Sequence, residues 1–430
     1  MEPGGVDLSP GRSRLSEVLP VGAGVALIAL SAYAVLAMAG HVLAPVHYAA
    51  VASLYLLMSV LGPGIFVAVE QQTTHEVSAR IATGVGWAPV LRSGALASAR
   101  LAGVVTLVVL ALSPLLVPRV FGGSWLLVGG AVLAVWGAAA SYPLRGVFAG
   151  QRRFGWYGSC MALEGLGRAG AAAGLVGLGV DGGGWYGLVF GFGLGLSAAL
   201  TVWGPRAGGP GPAVAVGPVW GGGMFGRVAV LAFGCGLTLV IANLGPVVLT
   251  FRLGSADPAN AGGAAMAASF VSLFVLARIP VLLATPVQAM LLSRLTGAAQ
   301  RGDFGRWRRI VRLSLLGVAA LGVPGVVGGA LLGPWAAEVF FGAPLRLSWV
   351  VAGLLAVGTV GMVAAQVLQP ALVALGRNRA ASAAWGIGTA VFAALLALPG
   401  YPLAGCVAAQ VAAPAVVTAS MLWSLRDDYR

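Results

Sequence analysis

The chain has 430 residues, of which 59% are hydrophobic and only 9% are charged. Soluble domains carry roughly 25% charged residues, so this composition excludes a water-soluble fold. Every one of the 25 basic residues is arginine, and the absence of lysine excludes a P-loop nucleotide site or a pyridoxal Schiff base within this chain. The net charge of +13 does not indicate nucleic-acid binding, because the arginines lie between apolar runs instead of clustering on one solvated face.

Apolar stretches long enough to cross a bilayer recur along almost the whole chain. A spanning helix needs about 20 consecutive, mostly apolar residues. The sequence therefore predicts an all-α polytopic membrane protein with about twelve transmembrane helices. The predicted spans are 17–40, 48–70, 95–118, 124–147, 154–178, 185–204, 224–251, 263–289, 310–333, 348–373, 380–398 and 402–424.

The widest polar connection, rich in glycine and proline, falls near the middle of the chain. It divides the predicted spans into two sets of six, and two such halves would share one orientation in the membrane. The predicted segments are a cytoplasmic N-terminal tail at 1–16, an N-terminal six-helix lobe at 17–204, a cytoplasmic linker at 205–223, a C-terminal six-helix lobe at 224–424 and a cytoplasmic tail at 425–430.

The arginines alternate between the two sides of the predicted spans. Short cytoplasmic loops are enriched in arginine. Twenty of the 25 arginines, Arg145 among them, fall at the tails and the even-numbered connections, whereas only Arg119, Arg252 and Arg346 fall on the opposite side. This asymmetry predicts a multi-pass protein of the cell membrane with both termini in the cytoplasm.

No motif in the chain indicates an enzyme, a metal centre or a catalytic residue. The run Gly191-Phe192-Gly193-Leu194-Gly195 lies inside a span and follows no strand, so we interpret it as close helix packing and not as a dinucleotide loop. The histidines lack metal-ligand spacing. The first outer loop contains no acidic residue of the kind that a lipid-linked glycosyltransferase would carry there.

Ionisable residues within spans are costly and therefore serve as candidates for a functional site. Glu164 and Arg168 are four residues apart near the middle of the fifth span, so they share a helix face and can form an ion pair. That pair has either a functional or a purely structural role. Arg278 has no acidic neighbour in its own helix and is followed by Pro280, which frees a backbone carbonyl.

Further candidates surround two predicted helix interruptions. Glu70 closes the second span after Gly62-Pro63-Gly64, and the eighth span is interrupted near Pro280. Interrupted helices at matching places in two halves are typical of transport sites. Asn243 and Gln288 could line the same space or bridge helices instead.

Two segments resemble a known family. Residues 144–154 (LRGVFAGQRRF), followed by Glu164 and Arg168, resemble the polysaccharide-biosynthesis (Wzx-type) flippases of the multidrug/oligosaccharidyl-lipid/polysaccharide (MOP) exporter superfamily. So do residues 277–283 (ARIPVLL), continuing through Gln288 to residues 292–295 (LSRL). The likeness extends over the whole chain through the span count and the mid-chain division.

The resemblance implies two six-helix lobes around a central cavity that opens alternately to each face of the membrane. The cargo would be a polyprenyl-pyrophosphate-linked oligosaccharide, and no cofactor is expected. Transport would draw on an H⁺ or Na⁺ gradient or on the membrane potential. Expected partners are membrane lipids, a polysaccharide polymerase and glycosyltransferases, without nucleic acid. The alternatives are a MATE-like drug/cation antiporter, a lipid II flippase, or a membrane glycosyltransferase or polymerase.

Overall fold

The computed structural model describes residues 12–84, 86–203, 222–254 and 260–426. These residues form helices and connections without any β-strand, which confirms the predicted all-α class. The helices are α1 (Arg12–Val42), α2 (Pro45–Ala82), α3 (Ala88–Arg119), α4 (Trp125–Gly150), α5 (Phe154–Gly177), α6 (Gly183–Trp203), α7 (Gly222–Leu253), α8 (Ala261–Ala277), α9 (Ile279–Gln300), α10 (Phe304–Phe341), α11 (Trp349–Ala374), α12 (Asn378–Ala397) and α13 (Pro402–Leu425).

Within the described ranges, eleven helical segments are long and apolar enough to cross a membrane. One of them, Ala261–Ala284, joins α8 to the beginning of α9. The helix α5 is not among the eleven, and it corresponds to the predicted fifth span. These segments together with α5 match the twelve predicted spans. The protein is therefore a multi-pass membrane protein.

The predicted interruption of the second span is wrong. The helix α2 runs without a break from Pro45 to Ala82 and passes through Gly62-Pro63-Gly64. Membrane helices tolerate glycine and proline in this way, because neighbouring groups satisfy the backbone atoms that proline leaves without a partner. The interruption of the eighth span is present, at Arg278 between α8 and α9.

Most of the predicted linker at 205–223 lies outside the described residues, and its last two residues begin α7. The first eleven residues and the last four also lie outside them. The side chain of Cys235 is not described either.

The chain forms two compact units. Unit 1 comprises Met1–Met38, Leu61–Ser113 and Trp125–Ala232. Unit 2 comprises Ala39–Val60, Pro114–Ser124 and Phe233–Arg430.

Glycines bring α4, α5 and α6 together in unit 1. A Cβ atom on Gly191 would lie 2.6 Å from the Cγ atom of Leu133 in α4, and one on Gly193 would lie 2.6 Å from the carbonyl oxygen of Glu164 in α5. Small residues of this kind let membrane helices approach closely. The packing interpretation of the glycine run is thus confirmed for Gly191 and Gly193. The close approach at Gly193 also fixes the position of Glu164 against α6.

Unit 2 also contains a glycine that lets two helices approach closely. A Cβ atom on Gly358 in α11 would overlap the carbonyl group of Gln410 in α13. Polar pairs add to this packing, since Ser53 donates a hydrogen bond of 3.0 Å to Thr250 and Ser272 donates one of 3.1 Å to the hydroxyl of Tyr48. The close approach at Gly358 places Gln410 beside the interruption between α8 and α9.

Candidate functional site

The first candidate site is an ionic cluster in unit 1, which consists of Glu70, Arg145, Tyr157, Glu164 and Arg168. Its centre is the predicted pair on α5. Arg168 Nη2 lies 2.5 Å from Glu164 Oε1, and both side chains are at least nine-tenths buried. The structure therefore confirms that the four-residue spacing pairs the two groups.

Arg145 joins the pair from α4, and sequence reasoning missed this role. Its Nη2 atom lies 2.5 Å from Glu164 Oε2, its Nε donates a 3.2 Å hydrogen bond to Ser141, and its guanidinium covers the ring of Tyr142 at 4.6 Å. Arg145 was assigned to the cytoplasmic end of the fourth span, but it is buried within a helix that continues to Gly150. The signal that could have revealed this is the apolar run that continues after Arg145 to that residue.

Two further contacts tie the cluster to α6. Ser141 and Ser197 share a hydrogen bond of 3.0 Å, and the guanidinium of Arg168 lies 5.5 Å from the centre of the Phe190 ring. An arginine over an aromatic face gains electrostatic attraction in addition to its ion pair. The cluster thus connects α4, α5 and α6 through both polar and aromatic contacts.

Glu70 approaches the cluster from α2. Its Oε1 atom accepts a 2.7 Å hydrogen bond from the hydroxyl of Tyr157 in α5. Gly146 permits this arrangement, because a Cβ atom there would lie 2.7 Å from the carbonyl oxygen of Glu70. As a whole residue Glu70 is partly exposed, whereas Glu164 is 4% exposed. Glu70 is therefore the more accessible of the two acids.

The charges of the ionic cluster balance when both carboxylates are ionised, with two arginines against two glutamates. A proton on Glu70 would leave one net positive charge. Buried charges are retained only when they are paired and hydrogen-bonded. The cluster can therefore act as a structural anchor for these helices.

The second candidate site lies in unit 2, where α8 ends and α9 begins. The N–H of Arg278 donates to the carbonyl of Val275 at 3.2 Å, and the N–H of Val281 donates to the carbonyl of Arg278 at 3.0 Å. The carbonyl of Ala277 is left to accept a 2.9 Å hydrogen bond from the hydroxyl of Thr359 in α11. The expected free carbonyl beside Pro280 is present, and a side chain from a neighbouring helix satisfies it.

Asn243 holds the side chain of Arg278. The Nη1 atom of Arg278 donates to Asn243 Oδ1, and the amide nitrogen of Asn243 donates in turn to the carbonyl of Leu239 at 2.8 Å. That second bond fixes the orientation of the amide, so its oxygen points at the guanidinium. Arg278 itself is partly buried. Of the two roles left open for Asn243, this contact shows that its side chain bridges α7 to the junction of α8 and α9.

Arg278 lines a small cavity within unit 2, together with the polar side chains of Thr359 and Gln410 and several apolar ones. Sequence reasoning missed both polar residues, which lie far from Arg278 along the chain. Gln410 donates to the carbonyl of Ile241 at 3.2 Å. The cavity measures about 20 Å³, enough for one water molecule and far too small for a pyrophosphate.

Gln288 is not among the residues that line this cavity. It lies in α9, ten residues after Arg278 and so about 15 Å further along a regular helix.

No group of three histidine, cysteine, aspartate or glutamate residues that could hold a metal ion occurs in the described part of the chain.

Solved structures of other membrane proteins share this fold. An inward-facing multidrug resistance MATE family transporter of the MOP superfamily superimposes with a TM-score of 0.71 at 12% identity, covering 93% of this chain and 94% of that one. The chain has the fold of MOP transporters. The lipid II flippase MurJ in an inward closed conformation gives a TM-score of 0.63 at 13% identity, covering 96% of this chain and 89% of that one.

A Pyrococcus furiosus MOP superfamily transporter, described as having a binding pocket of reverse polarity, gives a TM-score of 0.62 at 13% identity and covers 97% and 96% of the two chains. In sequence, the chain is 29% identical over 407 residues to the uncharacterized protein Rv1510 of Mycobacterium tuberculosis, covering 89% of this chain and 85% of that protein. No family model matches the chain.

Proposed function

We propose that the protein is a membrane flippase that moves a polyprenyl-pyrophosphate-linked oligosaccharide, or a related polysaccharide precursor, by alternating access. Three observations support this proposal. The fold is that of MOP transporters, and one solved structure with this fold is a lipid II flippase. Residues 144–154 and 277–283 resemble the polysaccharide flippases of that superfamily.

The observation that carries the proposal is the setting of Arg278. It lies at a helix interruption, is only partly buried, and contacts the neutral amide oxygen of Asn243. A guanidinium presents a planar fork that binds phosphate oxygens in bidentate fashion and stays charged at every physiological pH. Such a group suits a pyrophosphate. Because the cavity beside it holds only about one water molecule, the cargo would have to approach the guanidinium from outside that cavity.

The second candidate function is a drug/cation antiporter, since several solved structures with this fold are MATE transporters. A cationic drug would need accessible carboxylates. Both oxygens of Glu164 already accept from Arg145 and Arg168, which leaves Glu70 as the more accessible acid of the ionic cluster. Glu70 in turn accepts a hydrogen bond from Tyr157. Because both acids of the ionic cluster already have partners, the arrangement favours an anionic cargo over a cationic one.

Two further alternatives rank lower. Lipid II flippases resemble the chain too, but they usually carry two spans more than the twelve identified here. A glycosyltransferase or polymerase is not supported by the solved structures named above, which are transporters and a flippase. Glycosyltransferase and polymerase genes beside this one would support glycan export, and their products are the partners that we propose together with membrane lipids. Energy would come from an H⁺ or Na⁺ gradient or the membrane potential.

The decisive experiment is transport of a lipid-linked oligosaccharide by Arg278 variants at matched protein levels in the membrane. Arg278→Ala should abolish transport and leave the protein inserted and folded. Arg278→Lys should retain only part of the activity, because lysine offers a point charge without the fork. Arg252→Ala is the matched control, since Arg252 is another arginine of unit 2 and donates to the carbonyl of Leu398 at an exposed position. Full transport by the alanine variant of Arg278 would remove this residue from the site.

A further inference from the structure

The helix α10 carries four arginines near its beginning. They are Arg306, Arg308, Arg309 and Arg312, and no acidic residue occupies the first turn of this helix. The side chain of Asp303 caps the helix by accepting from the N–H of Arg306 at 2.9 Å. Positive charges near a helix N-terminus are disfavoured by the helix dipole. This effect applies to Arg306 in the first turn, whereas the other three arginines lie further along α10.

A groove begins where the arginines end. It is lined by Arg312, Leu315 and Leu316 of α10 and by Leu422 of α13, and its volume is about 410 Å³. Arg312 supplies the charged end, and three leucines supply the rest of the lining. The groove is open to its surroundings, and its volume is comparable with that of one lipid acyl chain.

The position of the groove fits a lipid headgroup at one end. Because α10 begins and α13 ends beside it, the groove lies at one edge of unit 2. Trp423 is 66% exposed at this edge, and the guanidinium of Arg426 covers its ring at 5.2 Å. Exposed tryptophans are typical of the membrane–water interface. Arg312 thus lies near the headgroup level, and the leucines extend toward the hydrocarbon.

Helical spacing aligns a second arginine with the groove. Arg309 precedes Arg312 by three residues and Leu316 by seven, so these side chains share one face of α10. Arg309 and Arg312 are both exposed. A phosphate at this face would meet two guanidinium groups at once, with the acyl chain below it against Leu316 and Leu422.

We propose that the groove between the beginning of α10 and the end of α13 binds an anionic glycerophospholipid of the surrounding leaflet. Arg309 and Arg312 bind the headgroup phosphate, and Leu315, Leu316 and Leu422 hold one acyl chain. Basic pockets beside membrane helices bind anionic lipid headgroups in this manner. The site is independent of the role in cargo binding that we propose for Arg278.

The test is native mass spectrometry of the purified full-length protein with phosphatidylglycerol or phosphatidylcholine that carry identical acyl chains. The wild type should retain phosphatidylglycerol at severalfold higher occupancy. Arg312→Gln should weaken that binding about fivefold, since a basic residue near a membrane surface contributes about 1 kcal/mol. Leu316→Trp should weaken the binding of both lipids by filling the groove.

Two controls match these variants. Arg294→Gln removes an exposed arginine of α9, and Leu313→Trp enlarges an exposed leucine of α10 that does not line the groove. Both should bind phosphatidylglycerol like the wild type. Equal binding of the two lipids, or unchanged binding by both Arg312→Gln and Leu316→Trp, would overturn the proposal. Displacement of phosphatidylglycerol by an equal concentration of a polyprenyl phosphate would overturn the stated occupant in favour of the cargo lipid.

Discussion

At Glu164 one carboxylate balances two guanidinium groups, because each of its oxygens accepts from a different arginine. Glu164→Gln would remove the carboxylate that both Arg145 and Arg168 contact and leave Glu70 as the one acid of the ionic cluster, and breaking a buried ion pair costs about 3–5 kcal/mol. Arg168→Gln should be milder, since the pair of Arg145 with Glu164 persists. The double variant of Glu164 and Arg168 should remain impaired, because Arg145 is still stranded. Thermal unfolding and membrane abundance measure this order.

The matched control for the ionic cluster is Glu338→Gln. Glu338 pairs with Arg346 at an exposed position, where the side chains are 42% and 66% accessible. Exposed ion pairs contribute little to stability, so this variant should unfold like the wild type. Equal losses for the variants of Glu164 and Arg168 would contradict the three-group arrangement.

The neutrality of Asn243 is the feature that distinguishes the Arg278 site from the ionic cluster. Asn243→Asp keeps the shape of the side chain and places a carboxylate on the guanidinium. The resulting ion pair should hold Arg278 and repel a pyrophosphate, so transport should fall at least tenfold while protein abundance stays normal. Flipping assays in proteoliposomes measure the effect. Undiminished transport by this variant would show that the charge of Arg278 does not bind the cargo.

Among the elements, α6 shows how tightly the ionic cluster is held. Gly193→Ala would drive a methyl group toward the carbonyl of Glu164, and such overpacking costs roughly 1–3 kcal/mol. Gly195→Ala, two residues away in the same helix, meets nothing within 4 Å. We expect Gly193→Ala to lower the melting temperature and Gly195→Ala to leave it unchanged. Identical melting temperatures would show that α5 can move away from α6 without cost.

The helices also show which structural features can be predicted from the sequence and which cannot. Spans are encoded locally by runs of apolar residues, and the ion pair by a four-residue spacing within one helix, so both were predictable. The involvement of Arg145, Thr359 and Gln410 depends on which helices are neighbours, and a single sequence does not encode that directly. The predicted interruption of α2 at Gly62-Pro63-Gly64 was wrong for the same reason, because neighbouring helices decide whether such a segment breaks.

For the whole molecule, the orientation in the membrane remains a prediction from arginine distribution. With Arg145 set aside as buried, nineteen arginines on one side oppose three on the other. We expect cytoplasmic N- and C-termini. A reporter active only outside the cytoplasm should be inactive when fused after Arg430 and active when inserted at 178–182, between α5 and α6. The reverse pattern would invert the topology.

The ionic cluster has a consequence for biogenesis. Arg145, Glu164 and Arg168 are synthesised on α4 and α5, which only residues 151–153 separate. A charged residue that enters the bilayer alone costs about 2.5–3.5 kcal/mol at the centre of a helix. The helix α5 lacks the hydropathy of the other spans and cannot offset that cost by itself. Glu164 and Arg168 can pair within α5, but Arg145 finds its carboxylate only on the next helix. We therefore expect α4 and α5 to enter the bilayer together as a hairpin.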